Sequence, residues 1–261
     1  MIRLDSPSNQ LVFNTVRIVC KQASGNTITG TGFLTSVEKN NSTLPFIITC
    51  KHCLEDAIEV SLSCVTANAK QEPDLGNVQV WKLDTSLLRL AQPHDTYDVA
   101  AIPFGPILNE ATSAGRPVFH RQLKLENFIK DSEKEELTAF EQIVFVGYPL
   151  GLYDSKNALP LLRVGYTASP IWSDFEQQPR FLIDAEVFSG SSGSPVFILN
   201  EGTYTSRQGI VLGTRFYFIG MILQSLDYDQ GAKGKQHIGL GSVLNANIIR
   251  EYLESTADRF S

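Results

Sequence analysis

Apolar residues in this 261-residue chain come in strand-length runs separated by Gly, Asn, Ser and Pro. The first group is LVFNTVRIVCKQ (11–22), GTGFLTSVE (30–38), FIITC (46–50), AIEVSLSCV (57–65), VQVWKLD (78–84) and DVAAIPF (98–104). Each run is rich in Val, Ile, Thr and aromatics. Turn chemistry such as Ser24-Gly25-Asn26 and Asn40-Asn41-Ser42 bounds them, which is the pattern of β-strands. The first 105 residues or so therefore read as all-β.

A second group follows: IVFVGYP (143–149), LLRVGYTAS (161–169), RFLIDAEV (180–187), SPVFILN (194–200), GIVLGTRFYFIGMILQS (209–225) and HIGLGSV (237–243). It predicts a second β-unit of similar size. Between the groups, QLKLENFIKDSEKEELTAFEQ (122–142) is charge-rich and reads as a short helix or a solvated connector. One helix is predicted with a clear apolar stripe, LNANIIREYLEST (244–256), on Ile248, Ile249 and Leu253. The expected organisation is a β-unit over 1–120, a connector over 121–142, a second β-unit over 143–243 and a terminal helix over 244–261. Three stretches, 66–76, 201–209 and 227–236, read as surface loops, and the last is expected to edge a substrate cleft.

Composition narrows the function classes. Hydrophobic residues make up 43% of the chain, enough to bury a core, and the formal net charge is −6 with no dense Lys/Arg cluster. A phosphate backbone is not an expected partner. No apolar run approaches the ~18 residues needed to cross a bilayer, and MIRLDSPSNQ lacks a signal-peptide core. A cytoplasmic protein is expected, with no membrane partner. The four cysteines, Cys20, Cys50, Cys53 and Cys64, are too few and too clustered for a disulfide framework, so reduced thiols are expected. Cys50-Lys51-His52-Cys53 has the spacing of one zinc knuckle, but a second knuckle is missing, so neither metal nor other cofactor is expected.

The candidate chemistry lies in three places. FSGSSGSPVF (188–197) is either a flexible loop or the seat of a nucleophilic serine. His52 follows directly on the run ending at Cys50, so a rigid element delivers its imidazole. Asp98 heads the apolar run DVAAIPF, where a buried carboxylate needs a partner such as an imidazole N–H; Asp95, in the polar loop AQPHDTY, is the rival. Serine hydrolysis of an acyl bond needs an activated hydroxyl, a base, an orienting group and oxyanion donors. All four can be named in the chain order His52, Asp98, Ser192.

These motifs resemble those of the trypsin-like serine proteases, nearest the HtrA/DegP-like and glutamyl-endopeptidase-like branches. Gly190 to Pro195 resembles their nucleophile loop and KHC their His-Cys signature. GTGFL, DVAAI, FVGYPLGL, IDAEVFSGSSGSP and HIGLGSVLNANI continue the likeness over residues 12–253. The resemblance implies an all-β, chymotrypsin-like double barrel with a C-terminal α-helix. It also implies an endopeptidase acting on polypeptides through an acyl-enzyme. Ser192 would be the nucleophile, His52 the base and then the acid, and Asp98 the residue that fixes the tautomer of His52. The N–H groups of Gly190 and Ser192 would form the oxyanion hole, with Ser189, Ser191 and Ser194 as turn residues. Pocket walls at 185–189, 223–225 and 238–240 would include Glu186, Phe188, Ser189, Leu223, Gln224, Ser225, Ile238 and Leu240. Ile238 and Leu223 would favour an apolar or medium-sized side chain there, Glu186 a basic one if it points inward, and Ile222, near where glutamyl endopeptidases place a pocket His, disfavours an acidic one.

Departures from the family pattern carry their own expectations. Ser191 replaces the aspartate that pairs with a cleaved N-terminus, so no zymogen cleavage is expected. The position matching the usual disulfide partner of Cys53 reads as Thr29. No PDZ domain follows the terminal helix, and an activating partner is left open. Two rivals remain: a catalytically silent module that binds a peptide or partner protein, and an α/β-hydrolase with the triad Ser192, Asp227, His237. The second needs a strand-to-helix elbow that Ser194-Pro195 followed by a strand does not provide.

Overall fold

The computed structural model describes residues 4–83, 85–206, 209–229 and 234–260. Eight strands form the first sheet: β1 (Thr15–Gln22), β2 (Thr27–Lys39), β3 (Ser42–Thr49), β4 (Ala57–Ala67), β5 (Pro73–Leu83), β6 (Gln92–Pro93), β7 (Ala100–Pro103) and β8 (Leu123–Lys124). They pair in the order β5-β4-β1-β2-β3-β7-β6, with β8 joining β2. A second set, β9 (Gln142–Gly147), β10 (Leu161–Thr167), β11 (Arg180–Asp184), β12 (Pro195–Asn200), β15 (Arg215–Asp229) and β16 (Lys235–Asn245), closes into a six-stranded barrel. A separate hairpin joins β13 (Thr203–Ser206) to β14 (Gly209–Leu212).

Both β-units anticipated from the apolar runs are present, and one core joins them. Phe33, Phe46, Ile48, Cys50 and Cys53 of the first unit belong to the same buried cluster as Phe145, Phe197, Phe218 and Ile222 of the barrel. The middle of β2 and the end of β3 are thereby held against the barrel, where the two halves of the candidate site meet. A second cluster, with Ile18, Leu62, Trp81 and Ile102, fills the first sheet alone.

The helical content exceeds the single predicted helix. Besides the terminal α5 (Ala246–Ala257), the chain forms α1 (Pro7–Leu11), α2 (Thr85–Leu88), α3 (Gly105–Ser113) and α4 (Asp131–Lys134). Pro106 stands in the first turn of α3, where proline is at home, and Ile107 and Ala111 bury one face of that helix. The stretch 122–142 is not simply solvated: Phe128, Ile129 and Leu137 are buried, and Phe128 packs edge-on against Phe218. Each of the three expected loops contains paired backbone, and Thr203–Ser206 of the second form β13. Thr66 and Ala67 extend β4 against Asp74 and Pro73, and Asp227 and Tyr228 extend β15 against His237 and Gln236. Polar side chains on protruding hairpins face water, so their periodicity reads as loop although their backbones are paired. Residues 207–208 of the second stretch and 230–233 of the third lie outside the described residues.

Helix α5 straps the strand next to Asp98. The Tyr252 hydroxyl accepts from the Ala101 amide at 2.8 Å and donates to the Gln92 carbonyl, linking the helix to β7 and β6. No helix among the described residues is long and apolar enough to cross a membrane.

Candidate active site

His52 sits in a 3-10 turn, Lys51–Leu54, that begins where β3 ends. Its ring Nδ1 lies 2.7 Å from Asp98 Oδ2, and its backbone N–H donates to Asp98 Oδ1 at 3.0 Å. Two donors from one residue therefore fix one carboxylate. Asp95 is exposed, and no contact joins it to His52.

The loop bearing Asp98 is organised by a residue whose role the sequence did not disclose. His94 Nδ1 accepts from the amides of Thr96 and Tyr97 at 2.9 and 3.0 Å, the His94 backbone N–H donates to the Val99 carbonyl, and its backbone carbonyl accepts from Lys51 Nζ at 3.0 Å. A side chain capping the amides two and three residues ahead is the imidazole counterpart of an Asx-turn. His94-Asp95-Thr96-Tyr97 was its only sequence trace.

The pair perturbs its own protonation. Hydrogen bonding to Asp98 is the largest cause raising the His52 imidazole from 6.5 to about 10, with Cys53 adding in the same direction and burial opposing. Burial alone would push the Asp98 carboxyl up; the His52 ring and backbone donors outweigh it and hold it below the usual range. The neighbouring thiols diverge. Burial drives Cys50 well up, and a hydrogen bond from Cys50 is the first cause holding Cys53 down.

Ser192 approaches from the barrel. Its carbonyl accepts from the Thr31 amide at 2.9 Å and lies 3.9 Å from Cys53 Sγ, so the nucleophile loop abuts the turn that carries His52. Of the four serines, Ser191 and Ser194 are buried with hydroxyls that make no hydrogen bond, Ser189 is exposed, and Ser192 is half-buried. The loop is tight by necessity. At Gly190, φ is +90° and a Cβ would stand 2.4 Å from the Tyr148 carbonyl oxygen; at Gly193, φ is +89° and a Cβ would stand 1.9 Å from the Thr31 oxygen. The N–H groups of Gly190 and Ser192 have no acceptor among the described residues.

One expectation is corrected here. Gly30, not Thr29, faces Cys53: a Cβ on Gly30 would be 2.6 Å from Cys53 Sγ. The missing disulfide partner is thus a glycine whose place the sulfur has taken, and all four cysteines are free. A one-residue shift along a strand moves a side chain to the opposite face, which the motif alone did not settle.

The residues named for a pocket differ in exposure. Glu186, Ser189, Gln224 and Ile238 are exposed, whereas Phe188, Leu223, Ser225 and Leu240 are intermediate. Gln224 and Ser225 pair with Ser242 and Gly241, and Val187 packs where a Gly241 side chain would be. Phe188 lies between the Arg163 guanidinium, 5.2 Å from its ring, and the His237 ring at 6.1 Å. His237 Nδ1 is 3.4 Å from Asp227 Oδ1, so the pair named by the α/β-hydrolase alternative does meet. It does so on a hairpin of an antiparallel closed barrel, a fold without the parallel sheet that alternative requires.

Cys50 Sγ, a His52 ring nitrogen and an Asp98 oxygen lie within 4.8 Å of one another and are the described residues best placed to hold a metal ion. Their donors are engaged, however: Asp98 spends both oxygens on His52, and Cys50 Sγ–H donates to the Ile222 carbonyl at 3.3 Å.

A family model described as the trypsin-like peptidase domain matches residues 30–204, two thirds of the chain and every residue of the candidate triad. The chain belongs to this family. It is a serine-type peptidase domain. Solved structures share the chymotrypsin-like fold at low identity. The HtrA-type protease AlgW with tripeptide has a TM-score of 0.51 at 13% identity over 94% of this chain. A serine endoprotease from Yersinia pestis has 0.51 at 14% over 97% of this chain and 68% of its own. An inactivated protease paralogue of the scabies mite has 0.53 at 12% over 94% and 95%. The chain spans 60% of the AlgW chain. No curated protein matches it.

Proposed function

We propose that this peptidase domain is a serine endopeptidase that cleaves polypeptides through an acyl-enzyme on Ser192. The observation that carries the reading is the 2.7 Å contact of His52 with Asp98 beside a nucleophile loop whose Ser192 carbonyl is tied to β2. In the first step His52 Nε2 takes the proton of Ser192 Oγ as that oxygen attacks the scissile carbonyl carbon. The C=O electron pair moves onto the carbonyl oxygen, which the N–H groups of Gly190 and Ser192 are free to stabilise. Asp98, accepting from Nδ1–H, keeps the proton on that nitrogen and favours the imidazolium that forms. The imidazolium then returns its proton to the departing amine. Water repeats the cycle with His52 as base, releasing the acid product and Ser192.

Ser191 supports a domain that needs no cleaved N-terminus: its hydroxyl is buried and makes no hydrogen bond, and it carries no charge with which to pair an ammonium group. Four buried free thiols favour a reducing compartment such as the cytoplasm.

The test is digestion of an unfolded protein such as reduced casein, with the new termini read by mass spectrometry. Wild type should generate fragments that the Ser192→Ala variant does not. Equal fragmentation by both would defeat the proposal, and no fragmentation by either would turn the reading toward a silent binding module.

A further inference from the structure

Three consecutive peptide units govern where the two candidate oxyanion donors point. A trans peptide directs its C=O and its N–H to opposite sides, so anchoring each carbonyl aims the amide that follows. The Ser189 carbonyl accepts from the Leu150 amide at 2.6 Å, which turns the Gly190 N–H the other way. The Ser191 carbonyl accepts from the Ser194 amide at 2.9 Å, which turns the Ser192 N–H the other way. Backbone donors close by supply both anchors.

The middle unit differs. The Gly190 carbonyl is held by a side chain from the other half of the molecule, the Thr31 hydroxyl at 2.9 Å. That hydroxyl also accepts from the Tyr148 amide at 3.2 Å, two residues before Leu150, which supplies the first anchor. Thr31 is fully buried, its amide donates to the Ser192 carbonyl at 2.9 Å, and its carbonyl accepts from Thr49 Oγ1 at 2.8 Å. One residue of β2 therefore touches both the Gly190–Ser191 and the Ser192–Gly193 peptides. The N–H of the same unit, that of Ser191, donates to the Phe188 carbonyl at 2.9 Å, so the Thr31 hydroxyl completes the anchoring of a peptide that follows a glycine at φ +90°.

We infer that Thr31 is a positioning residue whose hydroxyl sets the Gly190–Ser191 peptide and so aims both oxyanion donors. The inference rests on the serine-hydrolase reading above. Thr31→Val keeps the shape of the side chain and removes the donor, leaving the Gly190 carbonyl and the Tyr148 amide without partners. Thr31→Ser keeps the hydroxyl and removes a methyl group.

The experiment measures the rate of Ser192 phosphonylation by a fluorophosphonate in wild type, Thr31→Ser and Thr31→Val. Thermal unfolding and the His52 imidazole NMR signal are recorded alongside. Phosphonylation loads negative charge onto an oxygen in the same hole. Thr31→Val should therefore slow by on the order of 10²-fold, as loss of one oxyanion donor does, with the His52 signal in place. Thr31→Ser should retain most of the wild-type rate. A folded Thr31→Val that reacts like wild type overturns the inference, as does a Thr31→Ser as slow as Thr31→Val, which would assign the effect to the methyl group. Should Thr31→Val not fold, Thr31→Cys, with its weaker donor, takes its place: an intermediate rate supports the inference and a wild-type rate overturns it. A wild type that is not labelled at Ser192 overturns the hydrolase reading itself, an outcome separate from any ranking of the variants.

Discussion

Glu141 and Arg215 meet at 2.6 Å beneath the surface of the closed barrel, each less than a tenth exposed. The second Glu141 oxygen accepts from the amide and hydroxyl of Thr138, and Arg215 Nε donates to Asn200 Oδ1, so both charges are solvated by protein. Removing one partner strands the other charge. Glu141→Ala should cost about 3–5 kcal/mol in denaturant unfolding, with an unchanged slope. A loss under about 1 kcal/mol would show that the pair is solvated some other way.

The protonation of His52 makes a prediction with a definite sign. Its imidazole is raised from 6.5 to about 10, so the contact with Asp98 stabilises the fold fully below pH 6.5, and that contribution disappears as pH climbs through about 10. Catalysis runs the opposite way, because the base must be neutral. The rate of Ser192 labelling should therefore rise along a limb whose midpoint lies above 6.5. In Asp98→Asn the midpoint should fall toward 6.5 and the plateau drop by on the order of 10⁴. A midpoint indifferent to Asp98 would separate the carboxylate from the base.

Two glycines of nearly equal φ separate backbone strain from crowding. Gly190 at +90° would place a Cβ 2.4 Å from the Tyr148 oxygen, whereas Gly25 at +87° has nothing within 4 Å. Gly25→Ala should lose roughly 1–2 kcal/mol and no labelling rate. Gly190→Ala should lose at least about 10² in rate, since the turn that aims the donors must move. Equal effects on rate would mean that the loop tolerates a side chain.

Gly30 and Cys53 predict an engineered change of sign. Gly30→Val forces a side chain against the Cys53 sulfur and should destabilise by about 1–3 kcal/mol. Gly30→Cys under oxidising conditions should bond to Cys53 and close a chain loop worth about 3 kcal/mol, read as a higher unfolding midpoint that reductant reverses. Two free thiols at these positions after oxidation would contradict the geometry.

How far these features were legible in the sequence follows from their range. FIITC became the end of β3 and AIEVSLSCV became β4, because strand periodicity is local. His52 at a strand end and Asp98 at the head of an apolar run could be paired because few residues compete for either role. Helix α3 was hidden by its own Gly-Pro start, and Glu141 by the charges around it; what buries Glu141 is Arg215, 74 residues away. The hydroxyl of Thr31 reaches 159 residues along the chain to Gly190, a contact that leaves no periodicity to read.

The most direct test of the account is fluorophosphonate labelling of the purified chain, with the modified peptide identified by mass spectrometry in wild type, Ser192→Ala and His52→Ala. The account predicts one modified residue, Ser192, with labelling abolished in Ser192→Ala and slowed by at least about 10³ in His52→Ala. An unlabelled wild type, or a serine labelled at the same rate without His52, would contradict it.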